Sequence, residues 1–212
     1  MTSRPVYRTV LAVDMEQSSR RPNPVKETLR LETYRILQAA MHVAGVHACY
    51  CDPFVDRGDG VLILVRPVDE VPKTVLLHPL LPVLSGLLMD YNVSLPASQR
   101  SVCGLRLRAV IHSGEVHRDG NGPFGETLDV ACRLLDSPRL KNCLKCIEEP
   151  LILVVSDDIY RSIVRHGYEG IPPRTFTPAV WVQAAGHRTR GWVHVPAAIA
   201  TQPRRDYLAT AV

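Results

Sequence analysis

The sequence contains no apolar run approaching the roughly 20 uncharged residues that a bilayer crossing requires, and Met1 to Arg8 lead into a strand-like stretch without a signal-peptide hydrophobic region. The expectation is a soluble, cytoplasmic protein with no membrane partner. Cysteine is scarce. The six thiols, Cys49, Cys51, Cys103, Cys132, Cys143 and Cys146, are too few and too irregularly placed for a disulfide framework. Cys143 and Cys146 form a single C-x-x-C with no second pair nearby, which falls short of the about four ligands of a structural zinc site. They read as two thiols around a helix end. The net charge is only +4 and the arginines form no stripe interleaved with aromatics, which argues against a nucleic-acid surface. There is no P-loop, no G-x-G-x-x-G and no Ser-His-Asp signature.

What remains is an ordinary globular composition, 46% hydrophobic and 22% charged over 212 residues, enough for one packed core. Residues 1–196 are expected to form one domain and 197–212 a flexible tail. Val6 to Val13 is a β-branched run that ends in Asp14 and reads as a buried strand. From Val25, apolar residues at three- and four-residue spacing predict an amphipathic helix closing near Gly45. His47 to Val55 and Val61 to Val65 read as two strands joined by Asp56-Arg57-Gly58-Asp59-Gly60, with Asp59 at the hairpin tip. A second helix is expected from Leu80 to Asp90. Leu105 to Ile111 then alternates apolar with basic, as a strand with one wet face does.

Beyond it, Arg118 to Gly122 is a turn, Glu126 to Leu135 a helix, and Leu151 to Val155 a short buried strand. Ser156 is a credible N-cap for a helix from Asp157 to Arg165. Val180 to Ala184 and Trp192 to Val195 form a terminal hairpin, which Trp181 and Trp192 anchor. His112 reads as a packed or sheet-edge histidine. The order strand, helix, strand, strand, helix, strand is the βαββαβ pattern of an α/β, ferredoxin-like fold with an added C-terminal helix and hairpin. That fold hosts many functions, so function has to come from the site.

If the first strand and the hairpin are neighbours, Asp14 and Asp59 lie side by side. Paired carboxylates there suit Mg²⁺ or Mn²⁺, hard ions that bridge phosphates. Each aspartate alone is also ordinary turn chemistry.

Four segments together resemble the class III nucleotidyl cyclases: Val13-Asp14-Met15-Glu16, Gly58-Asp59-Gly60, Val110-Ile111-His112-Ser113-Gly114-Glu115-Val116, and the helix from Gly125 to Leu134, which contains Asp129-Val130-Ala131-Cys132-Arg133. The resemblance spans about residues 6 to 195. It implies a homodimer with sites shared between protomers, in which Asp14 and Asp59 hold two divalent ions. It also implies that Asp129 and Arg133, from the partner protomer, stabilise the ribose and the phosphoryl transition state. Arg118, Arg188 and Arg190 fall where the family has basic residues for the triphosphate.

The departures are specific. Asp129 replaces the family's asparagine, and a carboxylate there repels a triphosphate unless it is paired, protonated or bound to metal, so it is assigned to a ribose hydroxyl instead. The purine-reading positions hold Val55 and Gly122, neither of which makes the expected polar contact. Another base is then read, as in the cyclase-like pyrimidine cyclases of bacterial antiviral defence, with Arg57 as a substitute contact, or no nucleotide is turned over. Three functions stay open: a cyclase making a 3′,5′-cyclic monophosphate as second messenger, a regulatory cyclase-like domain without chemistry, and an enzyme making linear or linked nucleotides. With no sensor domain attached, regulation is expected to come from a separate protein.

Overall fold

The computed structural model describes residues 4–184 and 186–198. Its elements in chain order are β1 (Val6–Met15), α1 (Asn23–Val43), β2 (Val55–Asp56), β3 (Gly60–Val65), α2 (Lys73–Val75), α3 (Leu81–Ser94) and α4 (Arg100–Cys103). They continue with β4 (Leu107–Asp119), β5 (Gly122–Phe124), α5 (Glu126–Leu135), α6 (Pro138–Lys145), β6 (Leu151–Ser156), α7 (Asp157–Ser162), β7 (Thr177–Ala184) and β8 (His187–His194). The eight-stranded sheet runs β2-β3-β1-β4-β6-β8-β7, with β5 paired to β4. The part β2-β3-β1-β4 is antiparallel throughout, as the βαββαβ pattern requires, and β6 extends it in parallel to β4.

Period-two alternation divides the sheet's side chains between two cores. Leu11, Val13, Ile63, Ala109 and Ile111 face the layer formed by α1 and α3, while Val10, Ala12, Leu62, Val110 and Val154 face α5 and α6. Asp14 therefore falls on the α5 and α6 side, two residues beyond Ala12. The stretch Lys73–Ser94 is long and apolar enough to cross a membrane by length and composition, and 56% of that window is buried in this molecule. It is the helix that fills the first core.

Several sequence expectations are corrected. His47 to Val55 is not a strand: Ala48–Tyr50 is a turn of 3-10 helix, Cys51 makes one isolated bridge, and only Val55 and Asp56 pair with β3. The strand from Leu105 has no wet face, because Arg108 is only 7% exposed and β4 is covered on both sides up to His112. Trp192 anchors the terminal hairpin by donating to Asp157 at 2.9 Å and stacking on Tyr160, but Trp181 is 47% exposed and anchors nothing in the core. The expected α7 helix ends at Ser162, with a 3-10 turn following. Ser156 does cap it, its Oγ accepting from Ile159 N–H. Cys143 and Cys146 flank the end of α6 as free thiols. The tail beyond Ala198 lies outside the described residues.

Candidate active site

The site begins with strand register. Asp14 stands opposite Gly60 on β3 and opposite Arg108 on β4. The Met15 N–H donates to the Asp59 carbonyl at 3.0 Å, so the hairpin tip is tied to the end of β1. Both glycines of Gly58-Asp59-Gly60 are required by geometry. Gly58 has φ +80, in the left-handed region, and a Cβ on Gly60 would collide with the Val13 carbonyl. The tip is also bolted from outside. Arg30 of α1 donates to both carboxylate oxygens of Asp56 and to the Gly58 carbonyl, while the Gly58 N–H donates to Asp56 at 2.6 Å.

Asp14 and Asp59 line one cleft of about 380 Å³, bounded by the loop after β1, the hairpin tip, the end of α5 and the flank of α6. Arg57 lines it too. Four further cationic side chains join it that sequence reasoning did not single out: Arg20, Arg108, Lys141 and Lys145. Arg108 forms a buried ion pair with Asp14, and its Nε is buried with no hydrogen-bond partner. Burial lowers the Arg108 pKa, with the field of Asp136 opposing that shift. Its sequence signal was a basic residue in a strand otherwise apolar on both faces; the meaning appears only once β4 is registered against Asp14.

Asp14 and Asp59 offer carboxylate oxygens, the ligands a hard divalent cation takes, and such an ion would have to displace Arg108 from Asp14. No cluster of three or more His, Cys, Asp or Glu residues suited to a metal occurs among the described residues, so water or phosphate oxygens would complete the coordination.

The remaining assigned residues lie elsewhere in the protomer. Asp129 and Arg133 are exposed on α5 and do not line the cleft, whereas Cys132 of that helix and Asp136 just beyond its end do. Arg118 does not reach the cleft. It lies 3.9 Å from Asp52, a buried carboxylate also held by Arg8 and Arg66, toward the opposite end of β1. Burial pushes the Asp52 pKa up, but these guanidinia outweigh it and hold the group below the usual carboxylate range. Arg188 and Arg190 do not reach the cleft either; both lie over the Trp181 ring, 4.3 and 4.6 Å from its centroid. His112 is buried, with Nδ1 2.8 Å from the Ser156 hydroxyl, and burial lowers its pKa to about 4.

No protein-family model and no curated protein matches the sequence. Solved structures do. An adenylate/guanylate cyclase/hydrolase from Silicibacter pomeroyi superposes with a TM-score of 0.60 at 20% identity, covering 91% of this chain and 98% of that one. The adenylyl cyclase CyaB from P. aeruginosa gives 0.58 at 12% identity over 95% and 100%. The catalytic core of a rhodopsin-guanylyl cyclase with converted specificity, in complex with ATPαS, gives 0.56 at 14% identity over 91% and 98%. The chain has the fold of the class III adenylyl and guanylyl cyclase catalytic core, in a divergent form.

Proposed function

We propose that the protein is a metal-dependent nucleotidyl cyclase that acts as a homodimer and converts a nucleoside triphosphate into a 3′,5′-cyclic nucleotide and pyrophosphate. One observation carries this reading: the β1–β3 register brings Asp14 and Asp59 into a single cleft with five cationic side chains, a combination suited to a metal-bearing polyanion. A fold shared with nucleotide cyclases supports it.

In the reaction, the ribose 3′-oxygen bonds to the α-phosphorus. The bond from that phosphorus to the bridging oxygen of the β-phosphate breaks, pyrophosphate leaves with the electron pair, and the hydroxyl proton passes to solvent. Divalent ions, when bound, ease loss of that proton and neutralise the phosphates. Asp14 and Asp59 hold them. Arg108, which pairs with Asp14 in the cleft, is placed to offset phosphate charge there. Arg57 and Arg20 offset charge at the mouth of the cleft. Asp129 and Arg133 do not line the cleft of their own protomer and are assigned to the partner's site, Arg133 at the phosphoryl group and Asp129 at the ribose hydroxyl. Arg118, Arg188 and Arg190, which do not line the cleft of their own protomer, are assigned to the partner's triphosphate.

The test is incubation of the purified protein with ATP, GTP, CTP and UTP separately, with Mn²⁺ or Mg²⁺, and identification of products by mass. A cyclic monophosphate from one nucleotide, absent with Asp59→Ala, is the expected result, and its mass separates it from linear or linked products. A second reading, a regulatory domain without chemistry, is favoured by Arg108 already neutralising Asp14 and by Asp129. It would be chosen over the first by metal-dependent nucleotide binding without product.

A further inference from the structure

We infer that α6 carries a phosphate clamp, Lys141 and Lys145, which grips the distal phosphates of a nucleoside triphosphate within the protomer that supplies Asp14 and Asp59. This rests on the triphosphate reading of the cleft given above and names residues for it that no comparison assigns.

The helix is placed firmly. Ser137 caps it, its Oγ accepting from the Leu140 N–H at 3.1 Å, and Pro138 starts it. Leu140 and Leu144 are fully buried in the second core. Lys141 and Lys145 each follow a buried leucine, stand four apart and so share one face, the face that lines the cleft. At the far end, Arg106 of the segment entering β4 donates to the carbonyls of Leu144, Ile147 and Glu149, and pairs with Glu16 at 3.1 Å. Glu16 belongs to the loop after β1. Arg106 therefore ties the end of α6 to the loop that follows β1.

The charges in the cleft leave one arm of this clamp unpaired. Of the four carboxylates lining it, Asp14 is paired with Arg108, Asp136 with Lys141 at 3.2 Å and Glu16 with Arg106, which leaves Asp59. Lys145 has no ion-pair partner among the described residues. A lysine at the end of a helix is stabilised by the helix dipole, but that accounts for Lys145 alone and not for its convergence with Arg20, Arg57 and Arg108 on one cleft. An ammonium has three donors, so Lys141 can keep Asp136 and still bind a phosphate oxygen. The two lysines then add phosphate contacts within the protomer that supplies Asp14 and Asp59.

The experiment is calorimetric titration of inorganic tripolyphosphate with Mg²⁺ into the wild-type protein, the double variant Lys141→Gln with Lys145→Gln, the charge-preserving double variant Lys141→Arg with Lys145→Arg, and Arg108→Gln. The glutamine pair is expected to weaken binding about tenfold or more, with an unchanged thermal melt, while the arginine pair retains affinity. Wild-type affinity in the glutamine pair, with loss in Arg108→Gln, would overturn the clamp and leave the cleft as the phosphate site. Equal loss in the arginine pair would assign the effect to helix packing and also overturn it. Failure of the wild-type protein to bind tripolyphosphate would overturn the clamp together with the triphosphate reading.

Discussion

Asp14 and Arg108 stand directly opposite each other on neighbouring antiparallel strands, and their side chains form an ion pair in the floor of the cleft that also receives Asp59. The arginine balances a carboxylate that a divalent cation would otherwise balance. Replacing Arg108 with methionine leaves Asp14 unpartnered in a site where it is 15% exposed. Losing one partner of a buried pair costs roughly 3 to 5 kcal/mol, and the residual exposure of Asp14 brings the expectation to the lower end. Mn²⁺ should restore part of this loss, so the rise in melting temperature on adding Mn²⁺ is expected to be larger for Arg108→Met than for the wild type. Equal rises would show that Asp14 does not bind the ion.

Asp59 allows a cleaner separation of chemistry from folding. It is exposed at the hairpin tip, so Asp59→Asn should change stability by no more than about 0.5 kcal/mol. Metal-dependent turnover should nevertheless disappear. Product assays alongside thermal melts check both halves; retained turnover would remove Asp59 from the metal site.

Arg30 lies outside the cleft yet fixes the loop that carries Asp59. Arg30 and Asp56 are 36% and 52% exposed, so their pair contributes about 1 kcal/mol or less to stability. Because Arg30 also holds the Gly58 carbonyl, Arg30→Met should loosen the tip. The expected signature is a several-fold higher Mn²⁺ concentration for half-maximal activity at nearly unchanged melting temperature. A changed maximal rate with unchanged metal dependence would argue against this positioning role.

How far the sequence carried can be judged from these residues. Asp14, Gly58 and Asp59 were legible because each sits in a short local signal, a strand end or a glycine turn, and because local order matched a known pattern. Arg57 followed from adjacency to that turn. Arg108, Lys141 and Lys145 were not legible as site residues. Their role depends on strand pairing and on how α6 packs behind α5, which no local window contains. The arginine–apolar alternation before β4 was read as a wet face, since solvation is the usual fate of a strand arginine; ion pairing with Asp14 and Glu16 overrides that preference. Arg118, Arg188 and Arg190 match the family's basic positions only in order along the chain, and in the folded protomer they meet Asp52 and Trp181.

His112 makes stability depend on pH. Its folded pKa is lowered to about 4, first by burial, with Asp158 and Lys73 adding opposed smaller effects, while the unfolded value is 6.5. The unfolded chain therefore binds the extra proton between these values. The stability from keeping His112 neutral is fully present above pH 6.5 and is lost as pH falls toward 4. Between pH 7 and pH 5 the expected loss is about 2 kcal/mol. Urea unfolding at both pH values should show it, and His112→Gln should flatten the difference; an unchanged difference in that variant would place the titrating group elsewhere.

Shared sites make a complementation experiment decisive for the dimer. Asp59→Ala removes the proposed metal ligand from a protomer's own cleft, whereas Arg133→Ala removes a side chain that does not line it. Each homodimer alone should be inactive. When the two variants are mixed and exchange subunits, each mixed dimer has one cleft with Asp59 intact facing a partner with Arg133 intact. Half the dimers are then mixed with one of two sites restored, so activity should recover to roughly a quarter of wild type. No recovery, with subunit exchange verified by native mass spectrometry, would mean that Arg133 acts within its own protomer or not at all. Recovery would assign α5 to the partner's site, and the same mixing applied to Asp59→Ala with the double lysine-to-glutamine variant should then give none, because Lys141 and Lys145 work beside Asp59 in the same chain.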